Sequence, residues 1–197
     1  MNAIETALMN NPVRAAIQRR FEAERLLAMG GRMGGGRALE VGCGRGVGVE
    51  LILDRFGAGE VDAFDLDPRM IERARDRLRR RKEKIRLWVG DVTAISAPDA
   101  HYDAVFDFGI VHHVPDWRAA LREIHRVLRP SGRLYAEEVF ERFIADPLWR
   151  RVLEHPQKDR FDAARFEKGL EGAGFRVVAT RTLWDRFGWF VADRKAL

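Results

Sequence analysis

Apolar positions along the chain alternate between two rhythms. Asn11 and Pro12 suit a helix cap and first turn, and Val13, Ala16, Ile17, Phe21 and Ala28 then return at near-helical spacing, predicting an amphipathic N-terminal helix. Glycines between 30 and 36 follow as a linker. A short apolar run at 38–41 breaks into glycines, and 49–53 restores a helical pattern before Gly57. This is strand, glycine loop, helix.

The unit then recurs. Residues 61–65 read as a second strand, Asp67 as a cap and Pro68 as a first helical turn, with Ile71, Ala74 and Leu78 as the stripe. Residues 85–89 predict a third strand and 103–108 a fourth. Asp116 caps a helix whose Trp117, Ala120, Leu121, Ile124, Val127 and Leu128 share one face before Pro130 stops it. Residues 133–139 form a fifth strand after the Ser131-Gly132 turn. The stretch 141–160, with Pro147, Pro156 and the bulky Phe143, Ile144, Leu148 and Trp149, reads as an inserted cap. A last helix over 163–170 ends at Gly172-Ala173-Gly174, and 175–184 with 187–192 predicts a closing antiparallel pair.

Strands alternating with helices predict an α/β fold with a doubly wound, mostly parallel sheet of seven strands, helices on both faces and an antiparallel closing strand. The whole chain of 197 residues is expected to be one domain. Within it, 1–36 is an N-terminal helical cap and linker, 37–140 the ligand-binding core, 141–160 the inserted cap, and 161–197 the closing helix and strands.

Composition changes this picture little. Hydrophobic residues make up 46% and charged ones 33%, a globular balance, and no run reaches membrane-spanning length. The first residues lack a basic segment followed by an apolar run, and Cys43 stands alone, so a reducing cytoplasm is the expected setting. A net charge of +5 raises the question of a nucleic-acid surface, but the arginines interleave with acids in predicted helices and read as a solvated face. The densest run, 77–84, falls at a helix end, where cations suit the helix dipole.

In such a sheet the ligand lies beyond the carboxyl ends of the strands, so the loop after the first strand is the first candidate. It reads Glu40-Val41-Gly42-Cys43-Gly44-Arg45-Gly46. Glycines at 42, 44 and 46 let a ligand lie against backbone and permit positive φ. A dinucleotide fingerprint would need glycine at 47, where Val47 stands. Asp65 ends the second strand nineteen residues past Gly46, close to the distance at which an acid accepts both hydroxyls of an unphosphorylated ribose.

These residues resemble the class I S-adenosylmethionine-dependent methyltransferases, in particular the type 11 group that includes the ubiquinone and menaquinone methyltransferases. The likeness covers about residues 37–140. It rests on Leu39-Glu40-Val41-Gly42-Cys43-Gly44-Arg45-Gly46, Phe64-Asp65-Leu66-Asp67-Pro68, Gly90-Asp91-Val92, Tyr102-Asp103-Ala104-Val105 with His112-His113-Val114, and Leu128-Arg129-Pro130-Ser131-Gly132.

The resemblance implies a Rossmann-like fold and S-adenosyl-L-methionine as cofactor, with S-adenosyl-L-homocysteine as product. It implies that Glu40 and the loop from Gly42 through Cys43 and Gly44 to Gly46 carry the methionine moiety, that Asp65 takes the ribose, and that Leu66 and Met70 flank the adenine. Asp91, with Val92 beside it, would meet the adenine amino group, and Asp107 and Phe108 would close the site beneath the sulfonium. Arg45 and Ser131 depart from the commoner Thr and Gly, and Arg45 is placed to meet the methionine carboxylate. Asp67 reads as a cap and Cys43 as a small packed residue.

Methyl transfer needs alignment and water exclusion more than a base. His112 and His113, beyond the fourth strand, are the candidates for a proton acceptor, His112 slightly preferred, although a hydrogen-bonded structural role is the commoner one for a histidine so placed. Glu137 and Glu138 are weaker candidates, one inward and one outward by strand alternation. No metal site is expected. The N-terminal helix and 141–160 are expected to cover the cofactor and line the acceptor pocket. The functional reading is methyl transfer to a small-molecule acceptor by a monomer or homodimer. Methylation of RNA or protein, and a non-catalytic cofactor-binding module, are the alternatives; a nicotinamide oxidoreductase is disfavoured by the glycine spacing.

Overall fold

The computed structural model describes residues 21–144 and 159–195. Residues 1–20 and 145–158, which carry most of the expected N-terminal helix and inserted cap, lie outside the described residues. Seven strands form one sheet: β1 (Arg37–Val41), β2 (Glu60–Asp65), β3 (Ile85–Val89), β4 (Tyr102–Phe108), β5 (Leu128–Val139), β6 (Phe175–Leu183) and β7 (Phe187–Arg194). Their order is β3-β2-β1-β4-β5-β7-β6, with every pairing parallel except those made by β7. The direction of winding reverses between β1 and β4, so the loops after these two strands frame a crevice at the carboxyl edge.

One face carries α1 (Ala23–Gly30), α2 (Val47–Leu51) and α3 (Pro68–Leu78), and the other α4 (Trp117–Val127) and α6 (Ala163–Gly172); a short α5 (Glu141–Ile144) follows β5. Two apolar cores result. The larger joins Trp117, Leu121 and Ile124 of α4 and Phe166 of α6 to Leu39, Val105 and Phe190, all essentially buried. The other packs Leu26, Ile52, Phe56 and Ile71 on Val61, Phe106 and Val191. Both faces being covered explains why the central strands read as continuous apolar runs instead of alternating.

Three expectations need correction. Phe21 and Ala28 are exposed, and the buried positions of α1 are Ala23, Leu26 and Gly30. The contact that fixes this rotation is a close approach: the Tyr135 hydroxyl donates to Gly30 O at 3.0 Å, and a Cβ on Gly30 would stand 2.3 Å from the Tyr135 ring. Second, α4 stops at Val127, before Pro130, and β5 begins at Leu128. Proline disfavours helical backbone at the residue before it, and a register shift opposite Tyr102 and Ala104 absorbs the Pro130-Ser131-Gly132 turn inside the strand. Third, Glu137 and Glu138 are both buried, because β5 is central and helices cover each face, so neither points to solvent.

Several local expectations hold. Asp67 Oδ1 accepts from Arg69 N at 2.9 Å and Asp116 Oδ1 from Ala119 N at 2.9 Å, capping α3 and α4. The β6–β7 hairpin closes through Trp184 and Asp185, both at positive φ, with Arg186 N donating to Leu183 O. Among the described residues no helix is long and apolar enough to cross a membrane.

Candidate functional site

The loop after β1 turns on left-handed backbone, with φ of 66° at Gly42, 52° at Gly44 and 82° at Gly46. A side chain at Gly42 would strike Ile110, its Cβ falling 2.6 Å from Cγ2, so this loop and the one after β4 approach backbone to side chain. Gly46 serves differently. Its missing Cβ makes room for Leu78 of α3, and it packs the loop down without facing the ligand space.

Asp65 sits where β2 ends, with its carboxylate turned back to that loop. Oδ2 accepts from Gly44 N at 2.8 Å and Oδ1 from Asp67 N at 2.9 Å. Burial pushes its pKa up, and the two backbone donors pull against this. Across the crevice Asp91 Oδ1 accepts from both Thr93 N and Thr93 Oγ1 at 2.8 Å, which fixes its carboxylate in an Asx turn.

A single cleft of about 890 Å³ joins these groups, a volume that suits a nucleoside-sized ligand. Ten of the twelve residues assigned to the cofactor line it: Glu40, Gly42, Cys43, Gly44, Asp65, Leu66, Met70, Asp91, Val92 and Phe108. Gly46 and Asp107 do not. The wall also includes Arg45, Phe64, Thr93, Ile110 and Val114, none of which bore a sequence signal beyond its neighbours except Arg45. Leu66 is 71% exposed at the rim, whereas Met70 is buried.

Glu40 gives the cleft an unsatisfied acceptor. The residue is 2% exposed, and its Oε2 has no hydrogen-bond partner among the described residues. Burial first, then Asp65 and Asp107, push its pKa well up. A buried acid in this state is satisfied by a ligand donor or by its own proton. Cys43 beside it is buried, and burial, Glu40 and Asp65 all raise its thiol pKa, which keeps it a packed thiol and not a nucleophile.

Asp107 turns away behind the cleft wall. Its Oδ1 accepts from Ile110 N at 2.9 Å, and burial with the adjacent Glu138 raises its pKa well above the carboxylate range. Glu138, fully buried and pushed up to about 7 by desolvation, accepts from Val111 N at 3.0 Å and His112 N at 3.2 Å, and pairs with His112 Nδ1 at 2.6 Å. The two histidines therefore part company. His112 is held by Glu138 and borders a small second pocket with Trp117, Val139 and Phe161, while His113 lines the cleft; their rings lie 4.2 Å apart.

Residues 38–132 match the family described as a methyltransferase domain. That segment is a methyltransferase domain similar to those of the class I S-adenosylmethionine-dependent methyltransferases. It is 36% identical over 118 residues to a malonyl-[acyl-carrier protein] O-methyltransferase of Serratia marcescens, covering 60% of this chain and 44% of that one. It is 32% identical over 149 residues to a probable S-adenosylmethionine-dependent methyltransferase of Mycolicibacterium smegmatis, covering 76% and 55%. The chain thus spans about half the length of these curated relatives. Its fold superposes with a TM-score of 0.79, over 97% of this chain and 98% of the other, on a Haloferax volcanii structure solved as a complex with the Trm112 methyltransferase activator, at 18% identity.

Gly48 of α2 lies against two residues of the cleft wall. A Cβ there would stand 1.9 Å from Glu40 Oε1 and 2.8 Å from the Phe108 ring. Gly48→Ala is expected to cost about 1 to 3 kcal/mol by overpacking, despite alanine's better helix propensity. Chemical denaturation would read it, and a stabilised variant would show that Glu40 yields freely.

Proposed function

We propose that this domain binds S-adenosyl-L-methionine in the cleft between β1, β2 and β4 and passes its methyl group to a small-molecule acceptor. The observation that carries the reading is the Asp65 carboxylate, bonded to Gly44 N at the end of β2 and exposed to the same cleft as the glycine loop. That placement suits ribose hydroxyls. Glu40, with an open Oε2, suits the ammonium of an amino-acid moiety, and Asp91 with Leu66 and Met70 suits an adenine. When bound, the cofactor supplies a methyl carbon activated by positive sulfur.

The residues of this chain then have three tasks. Gly42, Gly44 and Asp65 orient the ligand; Phe64, Phe108, Ile110 and Val114 exclude water from it; His113 stands ready to hold a proton from the acceptor. The curated relative named for a rifamycin supports a small-molecule acceptor, and the one named for a malonyl group supports a small acyl group, there tethered to a carrier protein. We place the activity in a reducing cytoplasm, with 1–36 and 141–160 contributing to the acceptor side of one domain.

Incubation with labelled S-adenosyl-L-methionine and metabolite pools tests the reading by methyl release to a small product. His113→Ala should lower turnover at least tenfold while leaving cofactor affinity within about twofold, the usual mark of lost acid-base help. Full activity in that variant would assign proton removal to solvent.

A further inference from the structure

We infer that the C-terminal part of α3, the turn after it and the edge strand β3 form a docking face for the phosphate backbone of a single-stranded nucleic acid, beginning beyond the α3 residues that line the cleft. Residues 68–86 hold ten arginines and lysines against three acids, a net of +7, while the whole chain carries +5. Everything outside this one segment is therefore net negative by two charges. The segment lies together on one side of the molecule, because β3 is the sheet's edge and α3 leads into it through a helical turn at Arg79–Lys84.

Folding accounts for only part of this charge. Arg69 pairs with Asp67, Arg77 with Glu50, and Arg81 with Asp54, while Arg86 lies over the Trp88 ring at 5.5 Å. Arg75, Arg79, Arg80, Lys82 and Lys84 are exposed, and their side chains make no hydrogen bond or ion pair among the described residues. The C-terminal dipole of α3 favours one or two cations in its last turn. Five uncompensated ones close together repel each other and oppose the compact state.

The occupant follows from what the face lacks. Its one exposed large apolar side chain is Val89 at the far end of β3, and between residues 72 and 86 there is none, whereas a protein partner needs a cluster of apolar or aromatic anchors at the interface centre. Phosphate recognition needs none, and guanidinium forks, which outnumber ammonium groups eight to two here, match phosphate oxygens in bidentate fashion. The charges run along a helix, the turn after it and an edge strand, a line that the backbone of a flexible single strand can track. The inference does not depend on which acceptor is methylated.

The test is titration of the full chain with a fluorescein-labelled twenty-nucleotide single-stranded RNA over a range of salt. Four engaged phosphates give a slope of log affinity on log salt of about −3, roughly a fiftyfold loss between 50 and 200 mM. The triple variant Arg79→Glu, Arg80→Glu, Lys82→Glu should weaken RNA binding at least tenfold and flatten the slope. Its unchanged affinity for S-adenosyl-L-homocysteine and an unchanged thermal midpoint would show that it is folded; should it be unfolded, the neutral Gln triple replaces it with the same expectation. Absence of saturable RNA binding, binding indifferent to the substitutions, or equal affinity for polyglutamate or for anionic lipid vesicles would each overturn the inference.

Discussion

Asp65→Ala is expected to weaken S-adenosyl-L-methionine binding by about 1 to 3 kcal/mol, a five- to 150-fold rise in Kd, because two hydroxyls would lose a charged acceptor. The structure adds a second source of loss. Asp65 also ties Gly44 N and Asp67 N, so the alanine variant frees the glycine turn and the entry to α3 together. Asp65→Asn separates the two. It retains an oxygen for one backbone donor and forfeits the charge, and it should fall between wild type and alanine. Calorimetric titration of the three proteins measures the series. An alanine variant with wild-type affinity would remove Asp65 from the site.

Glu138→Ala should cost about 3 to 5 kcal/mol of stability, the largest effect of any single polar substitution here, since breaking a buried polar network strands its other members. Val111 N, His112 N and His112 Nδ1 would lose their acceptor inside a fully buried site. Glu138→Gln keeps an acceptor and removes the charge, and its stability should respond to pH differently. Desolvation raises the folded-state pKa of Glu138 from 4.5 to about 7, so the folded chain holds more protons than the unfolded chain between those values. The contribution of Glu138 to stability should therefore decline as pH rises from about 4.5 to 7 and level off above. Asp107 and Glu40, also raised, contribute a decline of the same sign. The Gln variant should lose on the order of 3 kcal/mol of that decline. Urea denaturation at several pH values would detect it, and parallel pH profiles for the two proteins would contradict the assignment of a buried, titrating Glu138.

Glu138 also marks the limit of what the sequence makes legible. Strand positions 85–89 agreed to the residue, and the caps at Asp67 and Asp116 formed as spacing dictated, because local chemistry alone determines them. The residues lining the candidate cleft were legible for a related reason: glycines, a strand-ending acid and their separation sit in short motifs on adjacent strands β1, β2 and β4, and the winding rule brings such strand ends together. Glu137 and Glu138 failed because alternation tells opposite faces apart without telling whether each face is covered. Asp107 and His112 lie off the cleft for another reason. Their neighbours in space, Glu138 and the 111–113 turn, belong to a strand and a loop 26 or 27 residues apart, and no spacing rule predicts that pairing. The exposure of Phe21 and Ala28 shows the same limit, since the approach of Gly30 to Tyr135 spans 105 residues.

The whole reading depends on an adenosyl ligand settling between the glycine loop and Asp65, and calorimetry of the unmodified chain with S-adenosyl-L-homocysteine, against NAD at equal concentration, tests that most directly. One molecule bound per chain, with no saturable heat from NAD, is the predicted result. Binding of NAD in preference, or no heat from either, would contradict it.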